Sequence, residues 1–176
     1  MEELVRYEVI SLPRLLVVGK ALRYSDKALN TGDNRLPGFW NSCYNENLFA
    51  PLEAQESFIF NCAHAGVFID WDLGDGDFTY IVGMLMRQGV IIPSGYIAKE
   101  LEECEVLYCW IKSQTLMQTR TASFDPIAEA IAKLGRSCAN MRWCADLYHP
   151  VRSLTPDEEG KVILDCYVPL DGISAR

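Results

Sequence analysis

Apolar and polar residues alternate along several short stretches of this chain, a pattern typical of half-buried β-strands. In chain order, these stretches are residues 5–10, 15–22, 65–70, 78–86, 96–101, 106–111, 143–148 and 161–168. The first two predict one long strand bent at Pro13, because proline cannot donate a hydrogen bond to a strand ladder. The third and fourth predict a hairpin, and the fifth and sixth predict one long strand or a bent pair.

Two further stretches have helical spacing. The first helix is predicted to start near residue 37, because Trp40, Tyr44 and Leu48 follow at every fourth position. The second is predicted to start at Asp125-Pro126, with the aspartate as N-cap and the proline as first helical residue. Apolar residues then recur at helical spacing, and Gly135 stands where a helix-ending glycine belongs.

The predicted elements occur in the order β-α-β-β, and then in the same order again. The Leu-Pro at residues 12–13 and the Ile-Pro at residues 92–93 are 80 positions apart in the sequence. The segments 65–68 and 145–148 are separated by the same 80 positions. This agreement indicates an internal duplication, with pseudo-repeats of about residues 1–88 and 89–170.

A duplicated β-α-β-β order predicts an α+β fold for residues 1–176 as a single domain. We expect a pseudo-twofold antiparallel sheet with two helices over one face. We also expect a ligand cleft between the halves, because pockets commonly form there.

Composition narrows the choice of partners. The chain has 176 residues, a formal net charge of −8, a pI near 4.8 and no run of Lys or Arg. Surfaces that bind nucleic acid directly are normally basic, so we expect no direct contact with nucleic acid. No signal peptide or stretch of about 20 apolar residues occurs, which predicts a cytoplasmic protein without membrane contact.

The candidate metal ligands are seven cysteines, two histidines and an acidic turn at residues 70–77. No Cys-x-x-Cys pair occurs, and His64 and His149 are far from any cysteine pair in ligand register. The acidic turn lacks the glycine position and the final glutamate of an EF-hand loop. The sequence therefore predicts reduced thiols, no metal and no cofactor.

Several short motifs occur in a recognisable order. They are LPGFW at residues 36–40, IPSGY at 92–96 and DCYVPL at 165–170. In these motifs the chain resembles the effector-binding family of gyrase-inhibitor-like proteins and of AraC-type and multidrug-responsive bacterial regulators. The resemblance implies a stand-alone domain that binds lipophilic, often cationic molecules between its halves. The family's His-x-Gly-Pro-Tyr-like turn is missing, and Asp146 stands where the family often has glutamate.

Asp146 is the first candidate for an acid that neutralises a bound cation. Strand alternation places it on one face with Cys144 and Tyr148. A carboxylate in a site of low dielectric constant attracts a cation strongly. The alternative is a strand aspartate that faces solvent. Asp165, which shares a strand face with Tyr167, is a second candidate with the same alternative.

Aromatic residues are candidates for the walls of the site, since ring faces attract cations. The candidates are Trp40, Phe68, Tyr80, Tyr108, Trp110 and Tyr148. Trp40 is the best stacking candidate, and Tyr108 and Trp110 share a strand face. Each of these rings could instead be an ordinary core contact.

Three functions are consistent with these patterns. The favoured one is a sensor or sequestering module for a small lipophilic, cationic ligand. The second is a small hydrolase of electrophilic or toxic compounds, with Asp146 and either Tyr108 or Tyr148 as acid and base. No nucleophile motif supports that reading. The third, suggested by the acidic charge, is a protein inhibitor of a larger enzyme. The pattern assigns no oligomeric state.

Overall fold

The computed structural model describes residues 3–25, 34–71, 76–114 and 124–171. Its elements, in chain order, are β1 Glu3–Leu12, β2 Leu15–Ser25, α1 Leu36–Asn45, the short helix α2 Ala50–Glu53, a 3₁₀ turn Glu56–Phe58, β3 Ile59–Ile69, β4 Asp77–Met86, β5 Ile97–Leu101, β6 Cys104–Ser113, α3 Phe124–Lys133, β7 Trp143–Tyr148 and β8 Val162–Pro169. No helix in these ranges is long and apolar enough to cross a membrane.

The chain divides into two compact units. Unit 1 consists of Met1–Pro13 and Glu103–Arg176, and unit 2 is Arg14–Glu102. Unit 1 has a sheet in the order β1-β6-β8-β7, and unit 2 has a sheet in the order β3-β4-β2-β5. Adjacent strands within each unit are antiparallel, and α1 belongs to unit 2 whereas α3 belongs to unit 1. The predicted α+β class with antiparallel strands is confirmed.

The predicted long strand bent at Pro13 is wrong. Leu12 at the end of β1 pairs with Cys104 of β6, whereas Leu15 at the start of β2 pairs with Leu101 of β5. The second stretch, predicted as one long strand or a bent pair, forms two strands, β5 and β6. A strand pattern is local to each segment, so it does not reveal that β1 and β2 have different partners. The duplication and the cleft between halves stay predictions.

Helix α1 ends before Leu48, so the predicted extension to that residue is wrong. Asn47 adopts a left-handed φ of 55°, and the Leu48 N–H donates to the Cys43 carbonyl at 3.0 Å. A left-handed residue commonly ends a helix in this way. Leu48 is nevertheless buried, and Pro37 lies in the first turn of the helix.

Helix α3 begins one residue before Asp125, so this aspartate is in the first turn and is not the N-cap. A negative charge there interacts favourably with the helix dipole. Gly135 has a φ of 65°, as expected for the residue that ends the helix. The buried stripe consists of Ile127, Ala130 and Ile131, at the predicted helical spacing.

Candidate functional site

The strand register of unit 1 defines a surface that we call the Asp165 face. Side chains directly opposite each other on antiparallel strands point to the same face. Tyr108 pairs with Tyr167, Trp110 pairs with Asp165, and Asp165 also pairs with Leu147. Tyr108, Trp110, Tyr167 and Asp165 therefore share this face.

The opposite surface of the same sheet is the Asp146 face. Asp146 pairs with Cys166, and Cys166 pairs with Cys109. By alternation along β7, Cys144 and Tyr148 point to the same side as Asp146. The structure thus separates Asp146 from Tyr108 and Trp110 by the thickness of the sheet, and it does not bring these candidates together.

Asp165 is buried, and Arg152 neutralises its charge. The side chain of Asp165 is 4% exposed, and Arg152 Nε donates to its Oδ1 at 3.1 Å. An Nη of Arg152 and the Tyr108 hydroxyl both donate to Oδ2, the hydroxyl at 2.6 Å. Hydrogen bonds between ionised groups are the stronger kind. Internal partners therefore satisfy this carboxylate.

The same guanidinium lies against an aromatic ring. The Arg152 Cζ is 4.5 Å from the centroid of the Trp110 ring, within the range of a cation–π interaction. Tyr167 packs edge-on against Tyr108, with ring centroids 5.2 Å apart. The Asp165 face thus holds a cation, but this cation belongs to the protein.

Backbone contacts position Arg152 in the turn before β8. The Ser153 N–H donates to the His149 carbonyl at 2.9 Å, and the Ser153 hydroxyl donates to the Ile163 carbonyl at 2.8 Å. The Ile163 N–H donates to the Arg152 carbonyl at 3.0 Å. Arg152 is not among the candidates that the sequence pattern singles out. The missed signal is Asp165 itself, since an acid flanked by apolar strand residues needs a cation when it is buried.

Tyr108 is held in its neutral form. Burial, followed by the hydrogen bond to Asp165, raises the pKa of Tyr108 to about 12, against an opposing effect of Trp110 and Arg152. The hydrogen bond to Asp165 likewise raises the pKa of Arg152 above its ordinary value. Tyr108 therefore donates a hydrogen bond and does not exchange a proton near neutral pH.

Asp146 has a different environment. It is partly exposed, and the Cys166 thiol donates to its Oδ1 with 3.7 Å between sulfur and oxygen. Burial raises the pKa of Cys144 well above its ordinary value, and the charge of Asp146 raises it further. For Cys166 the hydrogen bond with Cys109 is the largest cause of a raised pKa, followed by burial and then Asp146. Asp146 thus lies beside thiols that stay protonated near neutral pH.

The three candidates in unit 2 lie together. The Trp40 indole N–H donates to the Tyr80 hydroxyl at 2.9 Å, and Phe68 packs edge-on against Tyr80 with centroids 4.8 Å apart. Trp40 is 8% exposed and Tyr80 is fully buried. These contacts fix α1 to the sheet of unit 2.

Gly66 makes this close packing possible. A Cβ atom at this position would lie 2.1 Å from the Tyr80 hydroxyl oxygen and 3.2 Å from a ring carbon of Trp40. Any larger residue would push the two rings apart.

No group of three or more His, Cys, Asp or Glu side chains within the described ranges is placed to hold a metal ion. All seven cysteines are free thiols. Of the acidic turn at residues 70–77, positions 72–75 lie outside the described residues.

No family model matches the sequence, and no curated protein matches it significantly. Solved structures do match. The chain is similar to SAV2435 bound to tetraphenylphosphonium, with a TM-score of 0.66 and 15% identity over 96% of each chain. It is similar to a candidate bacterial transcription regulation protein from Staphylococcus aureus MU50, with a TM-score of 0.63 and 18% identity over 95% of this chain and 99% of that one.

A third similar structure is an integron cassette protein from the mobile metagenome of Vibrio cholerae. Its TM-score is 0.59, with 10% identity over 96% of this chain and 98% of that chain. Identities this low establish likeness of fold alone. The chain shares the fold of these proteins over nearly its whole length.

Proposed function

We propose that this chain is a small-molecule-binding module whose ligand is a lipophilic cation, with Asp146 as its counter-charge. The fold likeness motivates the ligand class, because the similar SAV2435 structure holds tetraphenylphosphonium. The role would be that of a sensor or sequestering module, related to the effector domains of gyrase-inhibitor-like and AraC-type proteins.

Asp165 is the weaker choice of acid. Arg152 and Tyr108 already occupy its two oxygens, and its side chain is only 4% exposed. A ligand cation would have to displace Arg152 and leave that guanidinium without its acid, which is costly in a buried setting.

The observation that carries the proposal is the position of Asp146. This carboxylate is partly exposed, lies on the same face of β7 as Cys144 and Tyr148, and accepts a hydrogen bond from the buried Cys166 thiol at 3.7 Å. A partly exposed carboxylate beside buried, polarisable groups suits a cation that also needs apolar contact. The net charge of −8 adds a general attraction for cations.

The hydrolase alternative is weakened for one of its two pairings. Asp146 and Tyr108 lie on opposite faces of one sheet, whereas Asp146 and Tyr148 share a face, and that pairing stays a prediction. Within the described ranges, no contact favours a protein inhibitor.

A tryptophan-fluorescence titration tests the ligand class. The wild-type protein is titrated with tetraphenylphosphonium and, as a matched neutral compound, with triphenylphosphine oxide. We expect saturable quenching by the cation and an affinity for the neutral compound that is weaker by about tenfold or more. Equal affinities would show a site that selects for apolar surface and would contradict the cation proposal.

A further inference from the structure

Three side chains of unit 2, outside the proposed cation site, form a continuous hydrogen-bonded chain. Tyr44, near the end of α1, lies with its hydroxyl oxygen 3.1 Å from Nδ1 of His64 on β3. Nε2 of His64 lies 3.0 Å from Oε1 of Glu53, the last residue of α2. We call this arrangement the Tyr44–His64–Glu53 relay.

The chemistry of the outer groups assigns the protons of the imidazole. An ionised carboxylate only accepts hydrogen bonds, so Nε2 carries the proton that is donated to Glu53. In the neutral ring Nδ1 is then an acceptor, and the Tyr44 hydroxyl donates to it. A hydroxyl, an imidazole that accepts its proton and an acid that orients the imidazole are the parts of a nucleophilic triad.

Aromatic packing holds the imidazole in place. The ring of Phe49 stacks on His64 with centroids 3.5 Å apart and planes 5° from parallel. The Tyr44 ring packs in the same cluster, with its centroid 5.1 Å from that of Phe49 and 5.9 Å from that of Trp40. A ring fixed on both nitrogen atoms and on one face is pre-organised for proton transfer.

The nucleophile is reachable from solvent. Tyr44 is 45% exposed, whereas the side chain of His64 is 22% exposed. Burial, and then the charge of Glu53, raise the pKa of Tyr44. The phenol therefore needs a base to accept its proton during the reaction, and His64 lies at the hydroxyl.

We propose that Tyr44 is a nucleophile toward aryl esters, with His64 as general base and Glu53 as the residue that positions His64. The Tyr44 oxygen bonds to the ester carbonyl carbon while its proton passes to Nδ1 of His64. The bond from that carbon to the aryloxy oxygen breaks, and the aryloxide takes the proton from the imidazolium. Water, activated by His64, then cleaves the acyl-tyrosine. The net reaction converts an ester and water to a carboxylic acid and a phenol.

Aryl esters are the expected class because the attacking and leaving groups are both phenols. Transfer of the acyl group from an aryl ester to Tyr44 then changes the free energy little, because one phenol replaces another. An alkoxide is a poorer leaving group. The adjacent rings of Phe49 and Trp40 offer an apolar surface for the aryl group. Tyr44, His64 and Glu53 are not among the candidates for the cation site, so failure of one proposal leaves the other intact.

The test uses the wild-type protein with 4-nitrophenyl acetate, followed by acid quench and peptide mass spectrometry of acetyl-tyrosine. Tyr7 is an internal control of similar accessibility, since it is 40% exposed. No hydrogen bond of its hydroxyl is found among the described residues. We expect Tyr44 to be acetylated about 100-fold faster than Tyr7, the usual contribution of a general base. Acetylation of the two tyrosines at equal rates would overturn the proposal.

Variants then assign the roles. In His64→Ala we expect the Tyr44/Tyr7 ratio to fall to about that of unassisted tyrosines, and added imidazole to restore it. Failure of imidazole to restore the ratio would show that His64 only packs, and would overturn its role as base. In Glu53→Gln we expect the Tyr44/Tyr7 ratio to fall by about tenfold or more, and in the nearby Glu56→Gln we expect it to stay unchanged. Tyr7 labelling in each sample reports general unfolding, so an unchanged ratio in Glu53→Gln would contradict the relay.

Discussion

Two aromatic clusters, one in each unit, have similar rings but are held together by different interactions. In unit 2, Trp40, Tyr80 and Phe68 pack on one another, and an indole-to-hydroxyl hydrogen bond links Trp40 to Tyr80. In unit 1, Trp110 and Tyr108 surround the ion pair of Arg152 and Asp165.

This difference arises from strand register. An acid becomes part of an aromatic cluster only when it lies on the same face of the sheet, as Asp165 does with Trp110. Asp146, one residue out of phase with that face, accepts a hydrogen bond from the Cys166 thiol instead. A tryptophan and a tyrosine can thus pack through a direct hydrogen bond, as in unit 2, or around an ion pair when a carboxylate shares their face, as in unit 1.

The largest expected effect comes from removing the internal cation of unit 1. Arg152→Met leaves the buried Asp165 carboxylate without its charge partner, and we expect the free energy of unfolding to fall by about 3 kcal/mol. The matched control is Arg6→Met, because Arg6 lies over the same Trp110 ring at 4.8 Å. Its side chain is 52% exposed, so its loss should cost less than about 1 kcal/mol. Urea unfolding measures both, and equal losses would contradict the charged character of this cluster.

The tight packing of unit 2 is tested by Gly66→Ala. The added methyl group meets the Tyr80 hydroxyl, and we expect a loss of about 2 kcal/mol in the free energy of unfolding. Gly38→Ala is the control, because a Cβ there has no atom within 4 Å and Gly38 lies inside α1. Alanine in a helix should stabilise the protein by about 0.5–1 kcal/mol. Thermal unfolding of the two variants should therefore shift in opposite directions, and a shift in the same direction would count against the contact.

A smaller effect is expected from Tyr80→Phe, which removes the acceptor of the Trp40 indole bond but keeps the ring. The loss should be about 1–2 kcal/mol because the bond is buried. Tyr96→Phe removes a hydroxyl that donates to the Leu48 carbonyl at 2.7 Å in a less buried place, and should cost about 0.5–1 kcal/mol. Urea unfolding measures both losses. A larger loss in Tyr96→Phe than in Tyr80→Phe would contradict the expected contribution of the Trp40 indole hydrogen bond.

A further effect is expected only at alkaline pH. The pKa of Tyr108 is about 12 in the folded protein and about 10 in an unfolded chain. The folded state therefore holds the proton more tightly, and stability falls as the pH rises from about 10 to about 12. The loss should be smaller in Tyr108→Phe, while the difference between the two proteins stays constant below about pH 10. Unfolding measured along this pH series would contradict the assignment if the two curves remained parallel throughout.

Local pattern predicted the strands and the two longer helices, but it missed the short helix α2, the end of α1 and the pairing of the strands. Residues 143–148 form β7 as predicted, because alternation and bounding turns are local signals. The long strand bent at Pro13 is not observed because Leu12 pairs with Cys104 and Leu15 pairs with Leu101, partners far away in sequence that no local pattern encodes.

For the candidate site, alternation along each strand was predicted correctly. The relation between strands was not, so Asp146 and Tyr108 were grouped although they lie on opposite faces. The relay of Tyr44, His64 and Glu53 joins α1, β3 and α2, and its parts have no common spacing that would connect them in the sequence.

The most direct test of the cation proposal compares two aspartates. Calorimetric titration with tetraphenylphosphonium is made on the wild-type protein, on Asp146→Asn and on Asp70→Asn. Both variants lose one negative charge, but Asp70 is exposed and paired with Lys99 at 2.9 Å. We expect Asp146→Asn to weaken binding by at least about tenfold, or 1.4 kcal/mol, and Asp70→Asn to leave it unchanged. Equal affinity in the wild type and Asp146→Asn, or equal weakening in both variants, would contradict Asp146 as the counter-charge.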